Sequence, residues 1–345
     1  MKQTAQNILE TCAPWQHALA IQRQTVQSFY LHCAALLENS CPLSPLADSA
    51  LSLKRNLFST LFIMALEAAG VAKEKLPFYA LINQCLRAQV TGCDNLLDDE
   101  YKSVIPFNLT GSGNRFRSVL TVMTADMVLG RMLAAEIAAG RMDERGGQCL
   151  LTAVLNVLIP SGIEEHEEES QTEVQVPTVQ AMLEQVHYRK TGLLFEAPLR
   201  LATLMGETDP SSSAKVTQAL AVFGIGCQIL DDLQDVADDL YAGKYNIVIS
   251  AAYHSTSSDS ADESQLLHDY IGQQHSLEHA LGVAAKLPVA RATCMALVLN
   301  YFNQAEQLLH SCMAEFELRH SMALGMLVQE SITAQRNDSS TRQPV

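Results

Sequence analysis

Apolar positions recur along most of the chain at the three-to-four-residue spacing of helices that bury one face. Between Leu51 and Ala69, the residues Leu53, Leu57, Phe58, Leu61, Phe62, Met64 and Leu66 form a broad apolar stripe. Similar patterns run through 78–98, 115–139, 146–158, 178–205, 214–241, 265–285 and 289–331. No alternating run is long enough for a strand, and no internal repeat stands out. Segments 41–48, 103–114, 160–177, 206–213 and 254–264 are polar or rich in Gly, Pro and Ser, and predict loops. Helices on either side of each loop are equally apolar, and 219–230 is apolar nearly all round. The pattern therefore predicts an all-α fold, a single large helical bundle over 1–334, with a disordered tail at 335–345.

Composition narrows the partners. The 345 residues carry 38 acids against 23 bases, a net charge of −15, which weighs against nucleic acid. Nine cysteines form no CxxC pair and suit a reducing cytoplasm. The N-terminus lacks a secretory pattern, and no uninterrupted run of about 18 apolar residues occurs, so no membrane span is expected. The acidic run at 164–169, with His166 at its centre, reads as a solvated loop.

Two further acidic groups interrupt helices that otherwise look buried: Asp94 to Glu100, and Asp231 to Asp239. Residues four apart on a helix project nearly together, offset by about 40°. Asp94 and Asp98 therefore share a face, as do Asp231 and Asp235, with Asp239 a turn further. Like charges beside apolar surface lose hydration and repel, so such pairs persist in open water or around a cation. Oxygen-only ligation suits Mg²⁺ carrying substrate phosphate. Lys190 and Lys244 are suitable point charges for that phosphate.

The DxxxD element at 94–98, the Lys190-Thr191 helix, the GxxxQxxDDxxD element at 224–235 and Gly243-Lys244 resemble, in order and spacing, the trans-prenyl diphosphate synthases of the class I isoprenoid synthase superfamily. The resemblance spans roughly residues 50–250 and implies a helical bundle around a central apolar cavity. It implies that Asp94 and Asp98 bind metal on one wall, and Asp231 and Asp235 on the other, with Asp232 in the metal set. Together they would hold three Mg²⁺ ions against an allylic diphosphate, with Lys190, Lys244 and Gln228 at the diphosphate. It also implies a homodimer.

The resemblance breaks where chain-elongating members bind isopentenyl diphosphate. Their GKRxRP element corresponds to Ser52-Leu53-Lys54-Arg55-Asn56-Leu57-Phe58, which retains only Lys54 and Arg55. Arg87 stands where the family carries His, and Lys102-Ser103-Val104 where it carries paired arginines. Arg115 and Arg117 follow only beyond a loop. A depleted acceptor pocket beside intact ionisation elements points to a terpene synthase that cyclises or rearranges one prenyl diphosphate. The alternatives are a prenyl diphosphate synthase with an atypical acceptor site, in which Arg87, Arg115 or Arg117 rebuilds the contact, and a non-catalytic partner subunit. Gln89, Val90 and Cys93 are candidate wall positions; Phe62, Phe195 and Phe223 are candidate cation-facing rings with ordinary core as the default, and Arg319 is a candidate closing residue.

Overall fold

The computed structural model describes residues 12–38, 40–97, 101–111, 113–170, 176–273 and 275–310. Asp98 to Glu100, Arg319 and the tail from 335 lie outside the described residues. Among those described, regular structure is helical throughout, apart from one isolated bridge between Leu43 and Phe107. The residues group into two compact units: up to 158 together with 197–214, and 159–196 together with 215 onward.

In the first unit, α1 (Ala13–Leu37) starts on a Pro in its first turn and buries Trp15, Leu19, Val26, Phe29, Cys33 and Leu37 along one face. The periodic reading passes over this helix because polar Gln22 and Thr25 belong to the same buried face. Gln22 Nε2 donates to Asn56 Oδ1 at 3.2 Å and Gln84 Oε1 at 3.1 Å, which pairs the amide nitrogen, while the buried Oε1 has no protein partner. Ser52 caps α2 (Leu53–Ala68), which departs from helical geometry at Asn56, where φ is −117° and ψ is 16°. There the Asn56 amide turns back to the carbonyls of Ala50 and Ser52.

α3 (Leu76–Leu97) packs tightly on α4 (Asn114–Ala138), and Gly92 permits the approach. A Cβ there would sit 2.6 Å from Val122 Cγ2 and 3.0 Å from Ser118 O. α5 spans Glu144–Glu169, well beyond the predicted end at 158. Pro160, Gly162 and the acidic run give the segment a loop's composition, yet the helix continues through all of them. Glu is a strong helix former, and Glu164 turns inward to accept from Arg189 Nη1 at 3.1 Å. The acidic run is thus the end of a helix, in which Glu164 is a buried, paired carboxylate, and not a solvated loop.

In the second unit, a short turn at Val179–Ala181 runs into π-helical Met182–Gly192; α6 (Leu193–Leu204) follows, its residues from Ala197 onward belonging to the first unit. α7 (Pro210–Ala242) begins inside the loop predicted at 206–213. α8 (Ile247–Tyr253) and α9 (Ala261–Tyr270) follow, with α9 rising from the predicted 254–264 loop. The expected helix at 265–285 is broken before α10 (Leu277–Ala284), and α11 is described over Pro288–His310. Gly224 and Gly226 open α7 to two rings: a Cβ would meet Phe195 at 2.8 Å and Phe302 at 2.7 Å. Phe223 lies between them, with centroids 5.9 and 5.1 Å away, so Phe195 and Phe223 are packed core aromatics. Phe62 is buried as well.

Among the described residues, three helices are long and apolar enough to cross a bilayer by length and composition: Asn114–Ala138, Glu144–Glu164 and Pro210–Ala242. The expectation of no span came from uninterrupted runs, and averaged hydropathy tolerates the isolated polar residues that break them. Exposed apolar residues mark α4 at Phe116, Val119, Met123 and Met127, and α5 at Leu151 and Leu155.

Candidate functional site

Asp231 and Asp235 sit one turn apart on α7, both half-buried. Burial, helped by the nearby Asp231 charge, pushes the Cys227 thiol well up. Between them Asp232 points the other way and is only 5% exposed. Its Oδ2 accepts from His187 Nε2 at 3.0 Å and from the Ile247 amide at 2.7 Å, and its Oδ1 from Gln228 Nε2 at 3.2 Å. The helical period explains the split, since adjacent residues lie about 100° apart and cannot share a face. Asp232, expected among the metal ligands, is therefore engaged inside the protein.

Gln228, expected at the diphosphate, is likewise engaged at both ends of its amide. Its Oε1 accepts from Thr191 Oγ1 at 2.5 Å while its Nε2 serves Asp232. Lys190 and Thr191 belong to the π-helical segment, whose i→i+5 closure is rare and concentrated at functional sites. Lys190 is half-buried.

Lys244 follows from the way α7 ends. Gly243 adopts φ +70°, and the Lys244 amide reaches back to Asp239 O at 2.9 Å, closing the helix in a Schellman motif. Asn246 then caps α8, its Oδ1 accepting from Val248 N at 2.9 Å. Its Nδ2 donates to Asp232 O and Asp239 Oδ2, both at 2.7 Å. The Gly-Lys pair is thus a helix stop that presents a half-buried lysine.

In the first unit, Asp94 is exposed near the end of α3, where Asn95 is buried and ties the chain to Lys102 through both its amide atoms. Gln89 borders an apolar cleft of about 590 Å³, together with Met127, Leu129, Val154 and Leu155. Its Oε1 is buried without a protein partner. Val90 is half-buried and Cys93 exposed.

The candidate acceptor residues divide. Lys54 and Arg55 are exposed at the start of α2. Arg87 instead donates to Asn56 Oδ1 at 3.3 Å and Arg55 O at 2.7 Å, and burial together with Arg55 lowers its guanidinium to about 10. Arg117 donates to Leu109 O at 2.6 Å and Gly111 O at 2.9 Å, holding the loop before α4. Arg115 is exposed.

Among the described residues, no three His, Cys, Asp or Glu side chains converge to hold a metal ion by themselves. The donor chemistry nonetheless fits Mg²⁺, a hard ion that takes one or two carboxylates and completes its shell with water and phosphate. Asp231 and Asp235 supply such a pair. His187 and Asn246 were not singled out from sequence; the available signals were a His on the buried face three residues before Lys190 and an Asn at the N-cap of α8.

A family model for polyprenyl synthetase matches residues 120–281, which include Lys190, the 224–235 element and Lys244. No curated protein matches significantly. Among solved structures, a decaprenyl diphosphate synthase from Rhodobacter capsulatus aligns at 15% identity with a TM-score of 0.61, covering 91% of this chain and 99% of its own. A geranylgeranyl pyrophosphate synthetase from Pyrococcus horikoshii gives 14% identity, a TM-score of 0.61 and coverages of 92% and 98%. A polyprenyl synthase from Caulobacter crescentus, complexed with calcium and isoprenyl diphosphate, gives 14%, 0.58, 91% and 97%. The family model thus matches a little under half of the chain, and the solved structures show that the chain shares their all-α fold.

Proposed function

We propose that the chain is a Mg²⁺-dependent prenyltransferase that ionises an allylic diphosphate and joins the cation to isopentenyl diphosphate. The observation that carries this is the polyprenyl synthetase match over residues 120–281, a stretch containing Lys190, Asp231, Asp235 and Lys244. The matched family and the diphosphate synthases among the neighbours favour elongation over the cyclisation expected from the depleted acceptor pocket. Cyclisation remains the second reading, on one observation: Arg87 and Arg117 are occupied by backbone and amide partners, leaving Lys54 and Arg55 as the exposed cations at the start of α2.

Asp94 and Asp98, and Asp231 and Asp235, are the proposed carboxylates for three Mg²⁺ ions. When bound, Mg²⁺ neutralises the charge that develops on the departing pyrophosphate. Lys190 and Lys244 bind the diphosphate oxygens and hold them as the carbon–oxygen bond lengthens. Apolar helix faces keep water from the allylic cation, so that an alkene partner captures it. A proton then leaves the adduct to restore the double bond. Asp232 and Gln228 orient these groups without touching the substrate.

A homodimer is proposed from the exposed apolar stripes of α4 and α5, which a second copy would cover. The free cysteines, unpaired among the described residues, accord with a cytoplasmic location. The reaction is tested by offering the purified protein Mg²⁺ and geranyl, farnesyl or geranylgeranyl diphosphate, with and without isopentenyl diphosphate. A longer diphosphate formed only with isopentenyl diphosphate is expected. Volatile hydrocarbon from the allylic substrate alone would replace elongation with cyclisation, and inertness towards every substrate would refute both.

A further inference from the structure

The DDxxD pattern places two adjacent carboxylates in one motif, but the structure gives them different surroundings. An ionised carboxylate has about four lone-pair positions. Asp232 uses three of them on His187, Ile247 N and Gln228, and it is 5% exposed. A metal ion there would have to displace these donors from a dry site. His187 is itself 1% exposed, and because a carboxylate only accepts, its Nε2 is the donor.

The partners come from the segments that carry the two lysines. His187 reaches Asp232 directly from the π-helical segment, three residues before Lys190. Thr191, the residue after Lys190, reaches it through Gln228. From the other side the Ile247 amide reaches the carboxylate, while the Asn246 side chain donates to the Asp232 backbone carbonyl and to the carboxylate of Asp239, whose carbonyl holds the Lys244 amide. Both lysine-bearing segments are therefore referenced to one buried carboxylate on α7.

We infer that the Asp232–His187 pair is a positioning device that sets Lys190 and Lys244 relative to the Asp231–Asp235 face, and is not part of the metal shell. The inference rests on the proposed diphosphate chemistry. Misplacing a charged contact by about 1 Å costs on the order of a hundredfold in rate. Loss of the pair should therefore weaken diphosphate binding and leave the metal requirement unchanged.

The experiment measures farnesyl diphosphate turnover against Mg²⁺ concentration, and calorimetric binding of inorganic pyrophosphate with Mg²⁺, for wild type, His187→Ala, His187→Gln, Asp232→Asn and Asp235→Asn. His187→Ala should raise the KM for farnesyl diphosphate and the Kd for pyrophosphate about tenfold or more. His187→Gln, whose amide can donate from a similar reach, should recover most of that loss. Half-saturating Mg²⁺ should stay unchanged in His187→Ala and Asp232→Asn and rise in Asp235→Asn. Should His187→Ala fail to fold, Asn246→Ala tests the same linkage through the Lys244 segment. An active wild type whose Asp232→Asn variant needs more Mg²⁺, or whose His187→Ala and Asn246→Ala variants bind pyrophosphate normally, overturns the inference. A wild type inert towards both ligands overturns the functional proposal and the inference with it.

Discussion

Replacing Gly243 by Ala isolates the backbone's contribution to the placement of Lys244. Gly243 has φ +70°, and a Cβ built there has no neighbour within 4 Å, so the substitution introduces strain without a clash. Holding an L residue in the left-handed region costs roughly 1–2 kcal/mol. Ala also stiffens the unfolded chain, which returns about 0.4–1 kcal/mol. The net loss should be about 1 kcal/mol. Gly282 provides a control of opposite sign. It lies in α10, equally open to a Cβ but without a positive φ, so Gly282→Ala should stabilise by about 0.5 kcal/mol. Gly243→Asn should fall between wild type and Gly243→Ala, since Asn tolerates the left-handed region better. Urea unfolding followed by far-UV circular dichroism reads all three. Because the Lys244 amide closes the same turn, Gly243→Ala should also raise the KM for diphosphate. A Gly243→Ala protein as stable as wild type, alongside a stabilised Gly282→Ala, would refute the argument that the left-handed turn demands glycine.

Asp94→Ala and Asp235→Ala should each lower turnover far more than tenfold with unchanged circular dichroism, and sustained activity in both would remove these residues from the site. Gln89→Leu should hold or raise the melting temperature, because the buried Oε1 lacks a protein partner, and a clear loss of stability would show that the carbonyl is satisfied after all. Cys93 and Cys149 are exposed, whereas Cys33, Cys85, Cys227 and Cys294 are buried, so a thiol reagent near neutral pH should modify the first two before the others. Burial, and next the Asp94 charge, raise the Cys93 thiol, so it should react more slowly than an unperturbed thiol. Burial pushes Cys33 and Cys294 up to about 12 from 9.0. The unfolded chain thus releases those protons first, and the associated stability, complete below pH 9.0, should decline as pH rises towards 12. A melting temperature flat across that range would contradict it.

The helices with uniformly apolar stripes were legible in the sequence because burial of one face imposes the period. α1 escapes the periodic reading because Gln22 and Thr25 occupy buried positions, made tolerable by the tertiary bonds of the Gln22 Nε2 and by the Thr25 hydroxyl's bond to Ile21 O within the helix. The far end of α5 was read as a loop because Pro160 and the acidic run carry a loop's composition, and Arg189, which pairs Glu164, is distant in sequence. Within the site, the motif spacing identified α7 and its charged face. It did not reveal that Asp232 and Gln228 face inward, since the period separates Asp232 from the Asp231–Asp235 face without showing which partners lie beside it. His187 and Asn246 enter through contacts 45 and 14 residues away in sequence, to Asp232.

The π-helical turns at Met182–Gly192 also bear on how the chain tolerates changes in length. In an α-helix, deleting one residue rotates everything beyond it by about 100° and moves a buried stripe towards solvent. A ring closed over five residues contains one more than an α turn needs. A single deletion there can convert a π turn to an α turn and leave the flanking helices in register. The segment that carries Lys190 is therefore a place where insertions and deletions can be absorbed, and where the lysine can be re-aimed without unfolding its supports.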